Sequence, residues 1–389
     1  MTTRVYLDAV SGTPLLPEAQ AAMQLWLSRL GNPSNHLHRE GRQAAQVVEQ
    51  ARCSVAALIG ASPEEIYFAS SGTESNVWAI RGLLALRRSV GKHLVISAIE
   101  HLSILNTARQ LEREGYRVTL VPVDQAGRVS LDDVVAALRP ETALVCVMWA
   151  NHEVGTIQPI AEIAAAVRER GVRFHTDAIA AVGSVEVSVS SAPVDALSLA
   201  ANQFGGPAGA AALYVREGLH LPPLFHGGIQ EQGRRAGTEN LLGIIGMGAA
   251  ASVAREQLAT WAAHRRGLRD QLESSVRSQI PDVHVFGQAT ERLPGHCCFA
   301  FDGVDGESLA LGLDREGIAI VQSSACSSRA LKASHVLRAM QIPDALAQHA
   351  CLVTVGWYNT AEEITLAAQA IERVVQQLRM TATLIARGG

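Results

Sequence analysis

The chain has 389 residues, of which 48% are hydrophobic and 18% are charged, so it can bury a large core and is long enough for two domains. Its net charge of -4 and pI near 6.4 leave no basic field to attract nucleic acid or an anionic membrane. It has no signal-peptide pattern and no stretch approaching the roughly 20 apolar residues that span a bilayer. We therefore expect a cytoplasmic protein without nucleic-acid or membrane partners.

Strands and helices alternate along the first two thirds of the chain. Apolar residues recur at helical spacing over about 17–30, 44–59 and 241–275, which predicts three helices. Strands with polar ends are predicted at 93–101, 117–124, 143–155, 172–178 and 196–201. This α/β pattern implies a mostly parallel sheet covered by helices on both faces, with functional groups at the carboxyl ends of the strands.

The composition changes after the long helix predicted at 241–275. We predict a large α/β domain over 15–260 that carries the main pocket. A smaller α+β domain, formed by 1–14 together with 261–389, is predicted to carry the loop around Cys326.

The motif SSGTESN, residues 70–76, lies where a predicted strand turns into a helix. Backbone N–H groups and hydroxyl side chains at a helix N-terminus can hold a phosphate. The same residues also suit an ordinary helix cap, with Thr73 or Ser75 as the capping residue and Glu74 in the first turn. The motif by itself leaves both interpretations open.

Two other polar residues end predicted strands. His101 could stack on a planar ring, although a histidine at a strand end is more often a structural hydrogen-bonding group. Asp177 ends an apolar strand, where a carboxylate needs an N–H or cationic partner. Either a pyridinium nitrogen or an arginine would serve as that partner.

The stretch 194–209, VDALSLAANQFGGPAG, has the pattern of a buried strand that delivers polar side chains to a site. The residue at its polar end is Gln203. Only Lys92 and Lys332 are lysines in the whole chain, so lysine-dependent chemistry has two candidates. Lys92 precedes a strand and is predicted at the opposite edge from the site, whereas Lys332 follows Cys326 by six residues.

The six cysteines are too sparse for a disulfide framework, and we expect them to be thiols in a reducing compartment. Five lie in apolar context and are predicted to be in the core: Cys53, Cys146, Cys297, Cys298 and Cys351. The sixth, Cys326, lies in the small polar stretch QSSACSSRALKAS. That stretch predicts an exposed, mobile loop, whose cysteine is either a nucleophile or an inert surface thiol.

Together these stretches resemble the cysteine desulfurases of the class V aminotransferase fold, in the branch that supplies sulfur for iron–sulfur clusters and thiolated tRNA. The resemblance covers nearly the whole chain, through YLDAVSGTP, GNPSNHLHREGR, SSGTESN, EHLSIL, NHEVGTIQPI, HTDA, FGGPAGAAALYVR, HGGIQEQGRRAGTEN and SSACSS followed by SHVLRAM. It implies a homodimer that uses pyridoxal phosphate and accepts sulfur as a persulfide on a loop cysteine.

The resemblance implies roles for five residues of this chain. Thr73 would hold the cofactor phosphate, His101 would stack on the cofactor ring, and Asp177 would pair with the ring nitrogen. Thr238 would reach the phosphate of the neighbouring subunit. Cys326 would carry the persulfide.

The chain departs from the family pattern where the family's strand ends in Ser-Gly-His-Lys. Here the residues are Ala200, Ala201, Asn202 and Gln203, so the Schiff-base lysine is replaced by glutamine. A glutamine amide can neither form an imine nor shuttle the α-proton of a substrate. We therefore expect pyridoxal phosphate to be absent or bound only non-covalently.

Three further positions depart together with Gln203. His152 stands where the resemblance expects an asparagine, and Ala180 where it expects a glutamine. Trp357 replaces the arginine that binds the substrate carboxylate, which removes a bidentate clamp. Lys332 could in principle replace the missing lysine, but we expect it to be solvated.

Three functions remain open at this point. The first is sulfur transfer through Cys326, either as a persulfide carrier or as a thiolate ligand for a cluster-scaffold or acceptor protein. The second is a non-enzymatic scaffold that dimerises and binds partners. The third is altered chemistry, with non-covalent pyridoxal phosphate or a metal held by His101, His152, Asp177 and Cys326. The survival of SSACSS without the lysine favours the first.

Overall fold

The computed structural model describes residues 4–323 and 333–388. The strands of this part of the chain are β1 (Val5–Tyr6), β2 (Ile66–Ala69), β3 (His93–Ser97), β4 (Arg117–Val121), β5 (Thr142–Cys146), β6 (Arg173–Asp177), β7 (Ala196–Ala200), β8 (Ala211–Val215), β9 (Val283–Phe286), β10 (His296–Phe301), β11 (Ile318–Ala319), β12 (Val321–Gln322) and β13 (Cys351–Thr354).

The helices of the same part of the chain are α1 (Pro17–Gln24), α2 (Arg39–Leu58), α3 (Gly72–Leu86), α4 (Leu102–Arg113), α5 (Leu131–Ala137), α6 (Ile160–Glu169), α7 (Gln230–Gly233), α8 (Leu241–Gln279), α9 (Gly306–Arg315), α10 (His335–Ala339), α11 (Asp344–Ala347) and α12 (Ala361–Gly388). Short 3-10 turns cover Pro63–Glu65 and Ala201–Gln203. Among the described residues no helix is both long and apolar enough to cross a membrane.

A seven-stranded sheet in the order β2-β8-β7-β6-β5-β3-β4 forms the centre of the fold. Only β8 runs antiparallel to its neighbours. Strands β3, β5 and β7 are buried along their whole length, as expected for a sheet with helices on both faces. The predicted α/β fold with a mostly parallel sheet is confirmed.

A second, four-stranded antiparallel sheet has the order β12-β13-β10-β9, and β1 pairs with β11 in parallel. The long helix α8 packs against α1 and α2 near the large sheet and against α12 near the small one. The boundary predicted at residue 260 falls inside α8, which continues without a break. The division into domains at 15–260 therefore stays a prediction.

Several predicted element bounds differ from the structure. The helix predicted at 17–30 ends at Gln24, because Leu25, Leu27 and Leu30 are exposed and do not extend its buried face. The predicted strands are also too long, and β3 ends at Ser97 and β5 at Cys146. The polar residues that follow these strands form the loops of the site described below.

The helix predicted at 44–59 begins earlier, at Arg39. His38 is its N-cap, and its Nδ1 accepts a hydrogen bond from the Gly41 N–H at 3.0 Å. The spacing of apolar residues could not reveal this earlier start, because the first turn of α2 is polar. The prediction that Cys53 lies in the core is wrong, since Cys53 is exposed on α2, whereas Cys146, Cys297, Cys298 and Cys351 are buried.

A buried ion pair joins α2 to the segment around α7. Arg52 Nη1 and Nη2 donate to the two carboxylate oxygens of Glu231, each at 2.8 Å. The Phe68 N–H on β2 donates to the same carboxylate at 2.8 Å. The side chains of Arg52 and Glu231 are 7% and 3% exposed. Removal of Glu231 would leave buried Arg52 with only the exposed Glu49 carboxylate, to which its Nε donates at 3.1 Å.

We predict that Glu231→Ala lowers the free energy of unfolding by about 3 kcal/mol, because it removes the buried partner of both Arg52 Nη atoms and leaves only the exposed Glu49 beside Nε. The matched control is Glu114→Ala, which breaks the half-exposed pair with Arg81 and should cost about 0–1 kcal/mol. Urea denaturation of the two variants measures both values. Equal losses in the two variants would contradict the prediction.

Candidate active site

A cavity of about 370 Å³ opens where the carboxyl ends of β3, β5, β6 and β7 meet. Its size lies within the usual range for small-molecule sites. Four of the residues predicted for the site line it, namely Thr73, His101, Asp177 and Gln203. The structure therefore brings these four together, and the roles assigned to them stay predictions.

Asp177 ends β6 and is almost completely buried. Its carboxylate accepts hydrogen bonds from Asn76 Nδ2 at 2.8 Å and from the Ile179 N–H at 2.9 Å. Burial raises the pKa of this carboxyl, and the Ile179 N–H, His101 and Asn76 offset part of the shift. An N–H group of a bound ring would be a further partner for the carboxylate.

His101 is the N-cap of α4 and also lines the cavity. It therefore has a structural role whether or not it binds a ligand. Its Nδ1 accepts from the Ser103 N–H at 3.1 Å and lies 2.8 Å from Ser103 Oγ. The rings of His101 and His152 meet edge to face at 5.4 Å. Burial, with His101 and other neighbours, lowers the pKa of His152 to about 3, so His152 is neutral.

Thr73 lies in the first turn of α3 and lines the cavity together with Ser70, Ser71 and Gly72. The expected alternative, in which Thr73 or Ser75 caps the helix, is wrong. The cap is Ser71, whose Oγ accepts from the Glu74 N–H at 3.1 Å. Ser75 is instead buried against the sheet, where its Oγ donates to the Ala212 carbonyl at 3.0 Å. The Thr73 hydroxyl is thus not needed for the cap.

Gln203 lies in the turn that follows β7, and its side chain is held by the N-terminal segment. Its Nε2 donates to the Val10 carbonyl at 2.9 Å. Within residues 4–323 and 333–388, no lysine or arginine lines the cavity. Lys92 precedes β3 at the opposite edge of the sheet, where its Nζ lies 5.5 Å from the Tyr116 ring centroid. Lys332 lies outside the described residues.

Trp357 does not line the cavity, although the resemblance expects an arginine at this position. Its ring stacks on Trp261 of α8 at 5.4 Å, with 16° between the planes. An aromatic pair thus occupies the position at which the resemblance expects a guanidinium. Ala180 does line the cavity, and its methyl group offers no hydrogen bond.

Thr238 is not part of this cavity. It lines a neighbouring one of about 170 Å³ with Arg235 and Asn240, and Ser70 and Gly209 line both. The role expected for Thr238 requires a second subunit, so it stays a prediction. No group of three or more His, Cys, Asp or Glu side chains is arranged to hold a metal in the described part of the chain.

Glu153 is a site residue that the sequence analysis missed. Its Oε2 accepts hydrogen bonds from Ser334 Oγ at 2.6 Å and from Ser323 Oγ. These serines lie on either side of the segment 324–332, which contains Cys326 and is outside the described residues. Glu153 is distant from both serines in sequence, so no local pattern could have revealed the contact.

Burial raises the pKa of two carboxyls at this site. The pKa of Glu153 rises to about 7, against the opposing hydrogen bonds from Ser323 and Ser334. The pKa of Glu100 rises to about 8, although Ser97 Oγ and the Met148 N–H donate to it. Both groups therefore hold a proton under conditions where an exposed glutamate is ionised.

Comparisons with known proteins agree with the geometry. A sequence model of the family described as "Aminotransferase class-V" matches residues 5–366. The chain is similar to "Cysteine desulfurase IscS" of Dictyoglomus turgidum, with 42% identity over 97% of this chain and 96% of the relative. It is similar to the protein of the same name from Methanosarcina thermophila, with 40% identity over 96% and 93%. A solved structure called "NIFS-LIKE PROTEIN" is 32% identical, covers 96% of this chain and 100% of its own, and superposes with a TM-score of 0.90.

We predict that Glu153→Gln makes stability less dependent on pH between about 5 and 8. The folded protein holds a proton on Glu153 up to about pH 7, whereas the unfolded chain releases it near the ordinary value of 4.5. Rising pH therefore favours the unfolded chain, by up to about 3 kcal/mol for this group. A glutamine keeps a carbonyl acceptor for the serines and has no proton to lose.

The measurement is the free energy of unfolding of both proteins in urea at about pH 5 and about pH 8. The control is Glu114→Gln. Because Arg81 lowers the pKa of the Glu114 carboxyl, this variant should leave the dependence of stability on pH unchanged. Identical slopes for Glu153→Gln and the unmodified protein would contradict the prediction.

Proposed function

Because the chain belongs to the class V aminotransferases and, within them, to the cysteine desulfurases, we propose that it transfers sulfur through Cys326. The family is dependent on pyridoxal phosphate. In this chain, however, sulfur arrives from another source rather than from cysteine desulfurated in the pocket. The observation that carries this proposal is the Gln203 amide at the end of β7, bonded to the Val10 carbonyl.

The pocket does not fit pyridoxal phosphate as a lysine-bound cofactor. Gln203 has no amine, and within the described residues the cavity wall contains no lysine or arginine. Asp177, His101 and Thr73 could still contact a ring and a phosphate. The cofactor is therefore absent or held without a covalent bond, and the described residues of the cavity wall include no lysine to take the α-proton of an amino acid.

The absence of a carboxylate clamp supports the same proposal. Trp357 is stacked on Trp261, and an indole ring cannot bind a carboxylate as an arginine does. The cavity instead has the carboxyl groups of Asp177 and Glu153 in its lining. An amino-acid carboxylate entering this cavity would meet like charge or protonated acids rather than a cation.

Sulfur transfer through Cys326 needs no pyridoxal phosphate. The Cys326 thiolate attacks the terminal sulfur of a donor persulfide, R–S–S–H. A bond forms between Sγ and that sulfur while the donor S–S bond breaks, and the donor leaves as its thiolate. An acceptor thiolate then attacks the same terminal sulfur, takes it as a new persulfide, and releases the Cys326 thiolate.

The other cysteines are poor carriers for stated physical reasons. Burial raises the pKa of Cys146, Cys297, Cys298 and Cys351, which suppresses their thiolates and blocks access by a second protein. Cys53 is exposed, but it lies on the regular helix α2 and does not line the cavity of the candidate site. Cys326 lies in the polar stretch between Ser323 and Ser334.

The proposal includes partners. The donor and acceptor are proteins or small molecules with thiols, and a cluster scaffold is one such acceptor. We also propose a homodimer, because large apolar side chains such as Leu30, Leu37 and Ile229 are exposed on the single chain and would be covered by a second copy. A free carrier thiol requires a reducing compartment such as the cytoplasm.

We predict that Cys326→Ser abolishes persulfide loading, because serine has no sulfur nucleophile. The protein is incubated with glutathione persulfide, alkylated and digested, and the persulfidated peptides are measured by mass spectrometry. The matched control is Cys53→Ser, which removes the exposed thiol of α2 and should load as the unmodified protein does. Persulfide loading that survives Cys326→Ser would contradict the proposal, and partner binding that survives the loss of Cys326 would favour a non-enzymatic scaffold.

We predict that Gln203→Lys creates a covalent attachment point for pyridoxal phosphate. A lysine amine reacts with the cofactor aldehyde, whereas an amide does not. After incubation with pyridoxal phosphate and reduction with borohydride, the mass of Gln203→Lys should increase by one pyridoxyl phosphate at residue 203. The unmodified protein and Gln203→Met should not change. Site-specific attachment in the unmodified protein, at Lys332 for example, would overturn the proposed loss of lysine chemistry.

A further inference from the structure

A second, much smaller cavity lies behind Gln203. Its volume is about 20 Å³, which is room for one water-sized species. Val10, Ala180 and Gln203 line both this cavity and the main one. The other residues of its wall include two with basic side chains, Arg265 of α8 and His296 of β10. Ala180 and Gln203 are two of the positions at which the chain departs from the family pattern.

The Arg265 guanidinium is buried without a negative partner. The residue is 5% exposed, and its Nη1 and Nη2 donate to Ser184 Oγ at 3.1 Å and to the Gly183 carbonyl at 2.7 Å. Its Nε donates to the Trp261 carbonyl of the preceding turn at 3.2 Å. These acceptors are all neutral, and no carboxylate of the described residues forms an ion pair with Arg265.

The other buried arginines of the described residues are neutralised. Arg52 pairs with Glu231, and Arg269, one turn further along α8, pairs with Asp270 at 2.7 Å. Arg265 differs from them because burial alone, with no compensating charge, lowers its pKa to about 10. An uncompensated buried charge is costly, and a bound counter-ion would remove most of that cost.

His296 provides a second, independent observation. It is 8% exposed, and neither ring nitrogen has a partner within hydrogen-bond distance and angle among the described residues. A weaker contact with the His152 backbone opposes part of the effect of burial on the pKa of the ring. Burial, with Arg265 and Arg292, lowers the pKa of His296 to about 3, so the ring is neutral. A neutral imidazole still has one N–H to donate.

We propose that Arg265 and His296 hold a single small monovalent anion, of the size of chloride or hydrosulfide, in the cavity behind Gln203. The guanidinium supplies the charge, and the imidazole N–H supplies a hydrogen bond for which the described residues offer no well-aligned acceptor. The cavity is too small for a carboxylate or a phosphate. This site does not depend on sulfur transfer by Cys326, so the two proposals can fail separately.

The first test is crystallographic and uses the unmodified protein. Crystals are grown or soaked in bromide, whose anomalous scattering identifies it directly. The expected result is an anomalous peak between the Arg265 guanidinium and the His296 ring. A bromide-soaked crystal with only a water, or nothing, at this position would overturn the proposal.

The second test measures melting temperature as chloride replaces gluconate at constant ionic strength, because gluconate is too large for the cavity. The melting temperature should rise with chloride and saturate. Arg265→Met should lose this rise, whereas Arg269→Met, which removes a neutralised arginine of the same helix, should keep it. An equal rise in both variants would contradict the proposal. If Arg265→Met does not fold, the bromide experiment on the unmodified protein decides the question.

A competition experiment separates the two ions. Hydrosulfide is added under anaerobic conditions to crystals that contain bromide, and the anomalous peak is measured again. Loss of the peak at hydrosulfide concentrations that leave it unchanged when chloride is added identifies hydrosulfide as the preferred anion. Equal displacement by both identifies a general halide-type site, and the proposal stands in either case.

Discussion

The parallel pairing of β6 with β7 is the constraint on which the main pocket depends. In this register Asp177 pairs with Ser198, so the carboxylate at the end of β6 lies beside the strand that leads to Gln203. Strands β5 and β3 continue the parallel arrangement and bring the loops with Glu153 and His101 to the same edge. Residues far apart in the chain thus share one cavity because neighbouring strands run in one direction.

Buried polar groups around this edge are kept neutral or paired. His152 and His296 lose their proton because burial lowers their pKa values, while Glu100 and Glu153 keep theirs because burial raises them. The same rule explains why Arg265 is exceptional. A guanidinium is not readily deprotonated, and Arg265 has only neutral acceptors, which is the basis for the anion site proposed above.

The residues that depart from the pattern expected from the resemblance make well-defined contacts within the fold. The Gln203 amide is bonded to the Val10 carbonyl, and Trp357 is packed on Trp261. Helix α8 connects the two changes, because Trp261 and Arg265 are one turn apart on it and Arg265 lies behind Gln203. The described walls of the pocket thus contain a hydrogen-bonded glutamine at residue 203 and no lysine, and they remain packed.

The amino-acid sequence alone predicts the α/β alternation, the polar residues Asp177 and Gln203 at the ends of two strands, and a glutamine at position 203, because these depend on residues close together in the chain. It did not determine that Ser71 rather than Thr73 caps α3, or that Cys53 is exposed. Only the tertiary structure placed Glu153 between Ser323 and Ser334, and Arg265 beside His296. Contacts between residues so distant in sequence arise from the packing of separate elements, which leaves no periodic or local signature.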